Sequence, residues 1–387
     1  MDPSVATTAP LEQLVTQFAT LPDPRVERTR AHRLIDIVTI TLCAVICGAD
    51  DWVAVAEWGR AKEAFLRQWL ALPQGIPVHD TFGRVFAALD PHAFERCFLT
   101  WVQDLVQQTT GQVVALDGKT LCGSADKAAG KRAIHMVSAW ASANGAGLCL
   151  GQRKVDAKSN EITALPLLIH LLHLDGCIVT IDAMGCQTAI AQAIQDQQAD
   201  YVLALKANHG TLYDAAQRVF AEASAAAWQG IAHEHHETLD GGHGRIETRQ
   251  YTLLTDARYL RYVDPTGAWA GLQSLGRVAA ERRVGGKVTQ EVRYYLSSVG
   301  TVAEFARAAR SHWGIENGLH WVLDVAFRED EQRARVGYSA ENLAVVRHMA
   351  LNLLKQERTA RCGTKAKRLK AGWDERYLLT VLAGKPN

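Results

Sequence analysis

Residues 113–117 read Val113-Val114-Ala115-Leu116-Asp117, and residues 177–182 read Cys177-Ile178-Val179-Thr180-Ile181-Asp182. Each stretch is a short run of aliphatic residues that closes on an aspartate. Apolar runs of this length are typical of strands buried inside a mixed or parallel sheet. The two stretches therefore predict two central strands, each with an acidic residue at its carboxyl end.

The segments around these two strands complete the pattern of a fold. Three strands in a meander, followed by helix, strand, helix and strand, is the order of an RNase H-like mixed sheet. In that sheet the first and fourth strands lie side by side and parallel. Asp117 and Asp182 would then meet at the edge where open α/β sheets usually keep their sites. The further segments are β-like at 133–142 and 147–155, helical at 160–173 and 186–198, and β-like again at 201–206.

The rest of the chain predicts additions to this core. Helical periodicity dominates the first hundred residues, and β-like stretches with glycine-rich turns follow the core strands. The predicted fold is therefore α/β: an RNase H-like mixed sheet with a β-rich insertion, preceded by an all-helical N-terminal region. The predicted units are a helical region at 1–108, whose basic residues at 25–33 are a candidate DNA-binding surface, the first part of the core at 109–228, the insertion at 229–299, the closing helices of the core at 300–358 and a basic C-terminal tail at 359–387.

Composition sets broad limits on the class of protein. The 387 residues are 48% hydrophobic and 21% charged, which is ordinary for a soluble globular chain. The formal net charge is only +1, so charge alone does not indicate a nucleic-acid partner. Basic residues nevertheless cluster near both ends, at 25–33 and 358–370, where they are either a DNA-binding surface or solvated surface charge.

Cysteine usage and hydropathy indicate a cytoplasmic protein. The eight cysteines are scattered without any Cys-x-x-Cys pair, which favours reduced thiols. The first residues lack the basic and apolar regions of a signal peptide. The most apolar stretch, 34–49, contains Asp36 and is short for a membrane span, so it predicts a buried helix.

A third carboxylate lies on a long helix predicted for residues 301–327. Apolar residues, Trp313 among them, recur there every three or four positions and predict a core-facing stripe, with Glu316 in its middle. A carboxylate on such a face is costly unless a cation, a hydrogen bond or protonation compensates. One strand-terminal aspartate is commonly a turn residue. Two on adjacent strands, with a glutamate on the closing helix, favour a functional set.

A divalent metal would relieve the repulsion among three converging carboxylates. Hard cations such as Mg²⁺ take oxygen ligands and keep positions for water and phosphate. Two ions about 3.5–4 Å apart can activate an attacking oxygen and stabilise a leaving oxygen in phosphoryl transfer. Asp117, Asp182 and Glu316 are therefore predicted as metal ligands and catalytic residues for two Mg²⁺ ions, with Mn²⁺ as a substitute.

Four segments carry a resemblance to a known family. They are ALDGKTLCGS at 115–124, TIDAMGCQ at 180–187, YVLALKAN at 201–208 and RSHWGIENGLHWVLDVAFRED at 310–330. These segments resemble those of DDE transposases of the insertion-sequence class, in the subgroup related to H-repeat-associated proteins, and the likeness runs in order from about residue 10 to 350. The resemblance implies a bridging role for Asp117 between two metals, with Asp182 on one and Glu316 on the other.

One departure from the family pattern affects the closing helix. Related transposases often carry Tyr, Arg and Lys at fixed distances from the glutamate, where this chain has Ala309, His312 and Leu323. Other polar residues of the helix are therefore predicted to contact DNA, together with two lysines beside the aspartates and a Gly-His-Gly-Arg segment. The predicted DNA-binding residues are Lys119, Lys206, His243, Arg245, Arg249, Arg310, His312 and His320.

The predicted function is transposition of a bacterial mobile element. The enzyme would cleave at the element's inverted repeats and join the 3′-hydroxyl ends to target DNA. Its partners would be the repeats and the target DNA, and pairing two ends would require a homodimer or a higher assembly. Two alternatives remain open: a metal-dependent nuclease or resolvase of the same fold, and a non-catalytic DNA-binding remnant of a transposase.

Overall fold

In a computed structural model, the described residues are 15–105, 111–126, 128–143, 146–156, 160–242 and 244–384. Their strands form one nine-stranded sheet in the order β3-β2-β1-β4-β5-β9-β8-β7-β6. The strands are β1 Val113–Leu121, β2 Ile134–Ala143, β3 Ala146–Lys154, β4 Ile178–Ile181, β5 Asp200–Leu205, β6 His233–Gly242, β7 Arg245–Leu254, β8 Ser274–Val284 and β9 Lys287–Ser297.

The first five strands confirm the predicted RNase H-like mixed sheet. β1, β2 and β3 form the antiparallel meander, while β4 lies parallel to β1 on one side and to β5 on the other. All four residues of β4 are buried, as expected of a central strand made of β-branched residues. The connecting helices are α6 Glu161–Leu171 and α7 Thr188–Asp196.

The first strand is longer than its sequence predicts. The parallel pairing of β1 with β4 ends at Leu116 and Ile181, but β1 continues to Leu121 through its antiparallel pairing with β2. Asp117 is therefore inside a strand rather than at its end. It is nevertheless the first residue of β1 beyond the last pair with β4, so its side chain lies at the edge where β4 stops.

The predicted insertion continues the sheet of the core. β9 pairs antiparallel with β5, from Val202 opposite Ser297 to Leu205 opposite Tyr294. β8, β7 and β6 follow outward in antiparallel register. The β-rich segment is therefore an extension of the core sheet, and β6 forms the outer edge of the extended sheet. Helix α8 Gly210–Ala225 precedes this extension, and the short helix α9 Ala257–Val263 interrupts it.

The N-terminal region is helical, as predicted. Its first helix, α1 Leu34–Ile46, is apolar on every side, so twelve of its thirteen residues are buried. Asp90 starts the last helix by accepting a hydrogen bond from the backbone N–H of His92 at 3.0 Å. Among the described residues, no helix is long and apolar enough to cross a membrane. These helices are α1 Leu34–Ile46, α2 Trp52–Ala61, α3 Glu63–Leu66, α4 His79–Ala88 and α5 Pro91–Leu105.

The long closing helix is built in three parts. Helix α10 spans Val302–Ser311, a π-helical turn spans Glu316–His320, and α11 spans Trp321–Phe327. Thr301 caps α10 by accepting a hydrogen bond from the Glu304 backbone N–H. The expected core-facing position of Glu316 is wrong: the π turn leaves this side chain exposed, and Trp313 is 38% exposed. π turns are frequent at functional sites.

The C-terminal residues form two packed helices instead of an extended tail. These are α13 Thr364–Trp373 and α14 Glu375–Ala383, which follow the long helix α12 Ser339–Gln356. Within α13, Lys367 and Arg368 are buried. Because α12 is in contact with both α1 and β3, it joins the N-terminal helices to the edge strand of the sheet.

Candidate active site

Asp117 is the most enclosed of the three predicted ligands. Its side chain is 21% exposed, and its carboxylate accepts a hydrogen bond from the Gly118 backbone N–H at 2.9 Å. Burial, which opposes the effect of that hydrogen bond and is assisted by the carboxylates of Asp182, Glu161 and Glu316, raises the pKa of Asp117 to about 7. The three predicted carboxylates are therefore close enough to interact electrostatically.

Asp182 follows β4 directly and begins a short 3-10 turn. Its Oδ1 accepts a hydrogen bond from the Met184 backbone N–H at 3.0 Å, which fixes the direction of the side chain. An aspartate in such a turn is commonly structural. Here Asp182 also lines a cavity. The turn therefore orients its carboxylate and leaves it available to that cavity.

Asp117, Asp182 and Glu316 line one cavity of about 200 Å³, which we call the active-site cavity. The predicted convergence of the two strand aspartates and the helix glutamate is visible in this arrangement. β1 and β4 bring the aspartates to the cavity, and the π turn brings the glutamate. The other polar and aromatic residues of its wall are Lys206, Glu291, Arg293, Tyr295, His312 and Trp313.

The chemistry of this donor set suits a hard divalent cation. Every predicted ligand is a carboxylate, and the raised pKa of Asp117 reflects burial and acidic neighbours that a cation would offset. As placed, no group of three or more His, Cys, Asp or Glu side chains within the described ranges is arranged to hold one metal ion. A two-ion arrangement does not require such a group, because Asp117 would bridge while Asp182 and Glu316 each bind one ion.

Lys119 does not reach the cavity that it was predicted to serve. Its ammonium is paired with Asp324, lies 2.9 Å from Glu329 Oε2, and belongs to a side chain that is only 11% exposed. Burial alone would lower the pKa of Lys119, but Glu329 and Asp324 hold it above its usual range. This placement makes Lys119 an internal ion-pair partner and leaves it unable to contact a phosphate.

The two predicted histidines of the closing helix are also turned inward. His312 Nδ1 lies 3.0 Å from Thr180 Oγ1 on β4, and His320 Nδ1 lies 3.5 Å from Asp117 Oδ2. Burial lowers the pKa of each to about 4, so both rings are neutral at neutral pH. Neither can offer a positive charge to DNA, and both contact the strands that carry the aspartates.

A basic groove adjoins the active-site cavity and contains most of the remaining predicted contacts. It has a volume of about 610 Å³ and lies between one face of β7, β8 and β9 and the closing helix. Arg245 and Arg310 are about half exposed there, whereas Arg249 is held by Asp240 at 2.6 Å and by Glu247. Lys206 is exposed at the cavity rim, and His243 lies outside the described residues.

Several residues of the site were missed by the sequence reasoning. Arg293 on β9 lines both the groove and the cavity, and its guanidinium lies 4.9 Å from the centre of the Trp313 ring. Arg282 extends the same face of the sheet. The alternation of 289, 291, 293 and 295 along β9 is the signal that could have found this face.

Glu161, at the start of α6, is a fourth acidic group near Asp117. It pairs with His135, whose other ring nitrogen lies 2.9 Å from Thr120 Oγ1. Gly118 leaves space for this pair, since a Cβ there would lie 2.1 Å from Glu161 Oε1 and would displace the two side chains. The glycine next to Asp117 therefore makes room for a second layer of polar groups, which no local sequence pattern indicates.

An RNase H-like sheet with acidic groups converging beside its central strands defines the class of RNase H-like nucleic-acid enzymes. Comparison with known proteins narrows this class. The family model described as "Transposase DDE domain" matches residues 108–353, and the model described as "DDE_Tnp_1-associated" matches residues 15–102.

Similar proteins cover nearly the whole chain. The chain is 41% identical over 377 residues to "Putative transposase YncI" of Escherichia coli O157:H7, covering 96% of this chain and 95% of that protein. It is 39% identical over 379 residues to "H repeat-associated putative transposase YhhI" of Escherichia coli K12, covering 97% and 98%. A shorter relative, "Inactive transposase YbfQ" of the same strain, is 40% identical over 75 residues, covering 19% and 89%. The chain belongs to the DDE transposase family.

Proposed function

We propose that this protein cleaves DNA at the inverted-repeat ends of a mobile element and joins the freed 3′-hydroxyls to target DNA. The observation that carries the proposal is the shared cavity of Asp117, Asp182 and Glu316, where burial and neighbouring carboxylates raise the pKa of Asp117, an effect that a bound cation would offset. Family membership supports DNA as the substrate. The carboxylates are the proposed catalytic residues, and Mg²⁺ is the proposed cofactor, replaceable by Mn²⁺.

The residues of the chain would share the work of positioning. Bound divalent ions would supply an activated oxygen nucleophile and charge stabilisation at the phosphate. Asp117, enclosed between β4 and the closing helix, would hold its carboxylate rigidly at the centre, and the turn at Asp182 would orient the second carboxylate. The ammonium of Lys206 at the rim would contact a phosphate oxygen as a point charge.

The basic groove supplies the path along which the DNA would approach. Its lining contains five arginines and two glutamates, so it is positively charged overall, and it opens onto the active-site cavity through Arg293 and Trp313. Guanidinium groups bind phosphates without reading sequence and fix the register of a strand. Arg245 and Arg310, which are about half exposed, are therefore proposed to contact the backbone near the cleaved phosphate, whereas Arg249 is paired with Asp240 and Glu247. The remaining two arginines of the groove are Arg282 and Arg293.

A cleavage and strand-transfer assay tests this proposal. The substrate would carry the inverted repeats that flank this gene, with labelled ends and a supercoiled target plasmid, in Mg²⁺. Asp182→Asn should lower both cutting and joining on the order of 1000-fold, because it removes a ligand charge with little change of shape. Asp175→Asn is the matched control: this exposed aspartate precedes β4, at the opposite end of the strand from Asp182.

Each outcome separates the proposed function from its alternatives. Cutting followed by joining that depends on Asp182 would support transposition. Cutting without joining would indicate a nuclease or resolvase. Salt-sensitive DNA binding with no cutting in any variant would indicate a non-catalytic remnant. Cutting that survives Asp182→Asn would place the active site elsewhere.

A further inference from the structure

The closing helix meets β1 through two successive polar contacts. Asp117 and Lys119 lie two residues apart on β1, and therefore on the same side of the strand. His320 and Asp324 lie four residues apart on the helix, and therefore on the same face. His320 contacts Asp117 at 3.5 Å, and Asp324 pairs with Lys119. We call the Asp117–His320 and Lys119–Asp324 contacts the polar clamp.

The Lys119 side chain of the clamp is largely buried and is held by a second acidic group. Lys119 also binds Glu329, which is 2% exposed and lies 3.5 Å from Arg347 Nη1 on α12. Burial alone would raise the pKa of Glu329, but Lys119 and Arg347 hold it below its usual range. Buried ion pairs seldom add net stability, since desolvation offsets the attraction. A buried set at this position is better explained by the geometry that it imposes.

Glu316 begins the π turn that ends at His320. It precedes His320 by four residues within the π turn, and its carboxylate interacts electrostatically with Asp117. Any slip of the helix along β1 would change the distance between these two carboxylates. Together with the His312–Thr180 contact, the clamp therefore bears on the one spacing of the site that the sheet itself does not fix, because Asp117 and Asp182 are set by β1 and β4.

We propose that His320 is a positioning residue: its Nδ1–H holds the Asp117 carboxylate and, with the Lys119–Asp324 pair, sets Glu316 opposite Asp117 for metal binding. The inference rests on the proposed function, since it concerns the same carboxylates. A carboxylate accepts, so Nδ1 would carry the proton; Nε2 is buried, and the ring lines a small cavity together with Lys119, Gln152 and His348. Outer partners of this kind typically change metal affinity by about 10–100-fold.

Mn²⁺ binding to the full-length protein, measured by electron paramagnetic resonance without DNA, tests the inference. His320→Leu removes the donor at similar volume, whereas His320→Asn keeps an N–H near the position of Nδ1. We expect His320→Leu to weaken Mn²⁺ binding about tenfold and His320→Asn to stay within about threefold of wild type. His92→Leu, on an exposed histidine of α5, is the matched control.

Thermal denaturation of the same variants separates positioning from folding. The inference is overturned if His320→Leu binds Mn²⁺ like wild type, or if both His320 variants lose affinity equally and in proportion to lost stability. Asp117→Asn tests the proposed metal site itself, separately from the positioning role of His320. If wild type and Asp117→Asn bind Mn²⁺ equally, the metal site of the proposed function fails, and the positioning role of His320 falls with it.

Discussion

The two lysines near the carboxylates, Lys119 and Lys206, lie in different environments. Lys119 and Lys206 both follow apolar stretches close to an active-site strand, and both were predicted to hold phosphates. Lys119 is instead enclosed by Asp324 and Glu329, whereas Lys206 is exposed at the cavity rim. Because the ammonium of Lys119 is already paired inside the protein, we propose the phosphate contact for Lys206 alone.

Replacing each lysine by methionine should separate these two environments. Lys119→Met leaves Asp324 and the buried Glu329 short of a cation, so the free energy of unfolding should fall by about 3–5 kcal/mol. Lys206→Met should change stability by less than about 0.5 kcal/mol. It should instead weaken DNA binding and reduce the salt dependence of the affinity by about one phosphate contact.

Urea denaturation and filter binding at several salt concentrations measure the two effects. A loss of DNA affinity in a stable Lys119→Met protein would restore the prediction made from sequence. An unchanged salt dependence in Lys206→Met would remove this lysine from the DNA surface.

The difference between the two lysines could not have been predicted from local sequence. The partners of Lys119 lie more than 200 residues away along the chain, Asp324 on the closing helix and Glu329 in the turn that follows it. The aspartates were easier, because an apolar run that closes on an acid is a local signal, and parallel neighbouring strands bring two such signals together. Arg293 does not follow an apolar run that closes on an acid. Its place in the site depends on the pairing of β9 with β5.

At the scale of elements, helix α5 is joined to strand β3 by a buried ion pair. Glu95 Oε2 accepts a hydrogen bond from Arg153 Nη1 at 3.0 Å, and Glu95 is only 6% exposed. Burial raises the pKa of Glu95 to about 7; Arg153 opposes this effect and Glu341 adds to it. The desolvation cost of the carboxylate therefore exceeds the attraction of its partner.

This contact should make stability depend on pH. Because the folded-state pKa of Glu95 is raised, its contribution is fully present below the unfolded value near 4.5 and is lost as pH rises through about 7. Wild type should therefore lose about 2–3 kcal/mol relative to Glu95→Gln between pH 4.5 and 8. Urea denaturation of both proteins across this range measures the difference.

An exposed glutamate provides the control for that measurement. Glu222→Gln on α8 should track wild type at every pH, because Glu222 is exposed. A stability difference between wild type and Glu95→Gln that stays constant from pH 4.5 to 8 would contradict the expected titration of the buried carboxyl.

The elements themselves were largely predictable, but their ends and joins were not. The strand–helix order is written in hydrophobic periodicity, which is a local property. The extension of β1 past Asp117 depends on pairing with β2, and the π turn at Glu316 interrupts a helix whose apolar repeat looks uninterrupted. Tertiary pairing decides both features, and it also decides that Glu316 is exposed.

At the scale of the whole molecule, Arg368 joins the two ends of the chain to the core. Its guanidinium donates to the backbone oxygens of Val45 and Ala49 and to Asp50 at 2.8–3.3 Å, and it also donates to the Ala326 oxygen. The same group lies 4.3 Å from the centre of the Phe327 ring. One side chain of α13 thus fixes the end of α1 and the end of the closing helix.

Arg368→Ala should destabilise the entire protein. It leaves buried carbonyl oxygens and Asp50 without their donor, so the free energy of unfolding should fall by about 3–5 kcal/mol. Lys365→Ala, on the exposed side of the same helix, should change it by less than about 0.5 kcal/mol. Near-ultraviolet circular dichroism during urea denaturation measures both, and an Arg368→Ala protein as stable as wild type would show that the C-terminal helices are dispensable.

The pairing of β9 with β5 bears on how such a protein can evolve. Segment 229–299 interrupts the core in sequence, yet its last strand satisfies the backbone hydrogen bonds of the core from Val202 to Leu205. Excising it would leave a bare edge beside the active site, and exchanging it for an unrelated segment would require an equally registered strand. The segment therefore cannot be exchanged as a separate unit: descendants of this chain can vary the strands beyond β9 only as far as the basic groove allows, and they inherit β9 as part of the core sheet.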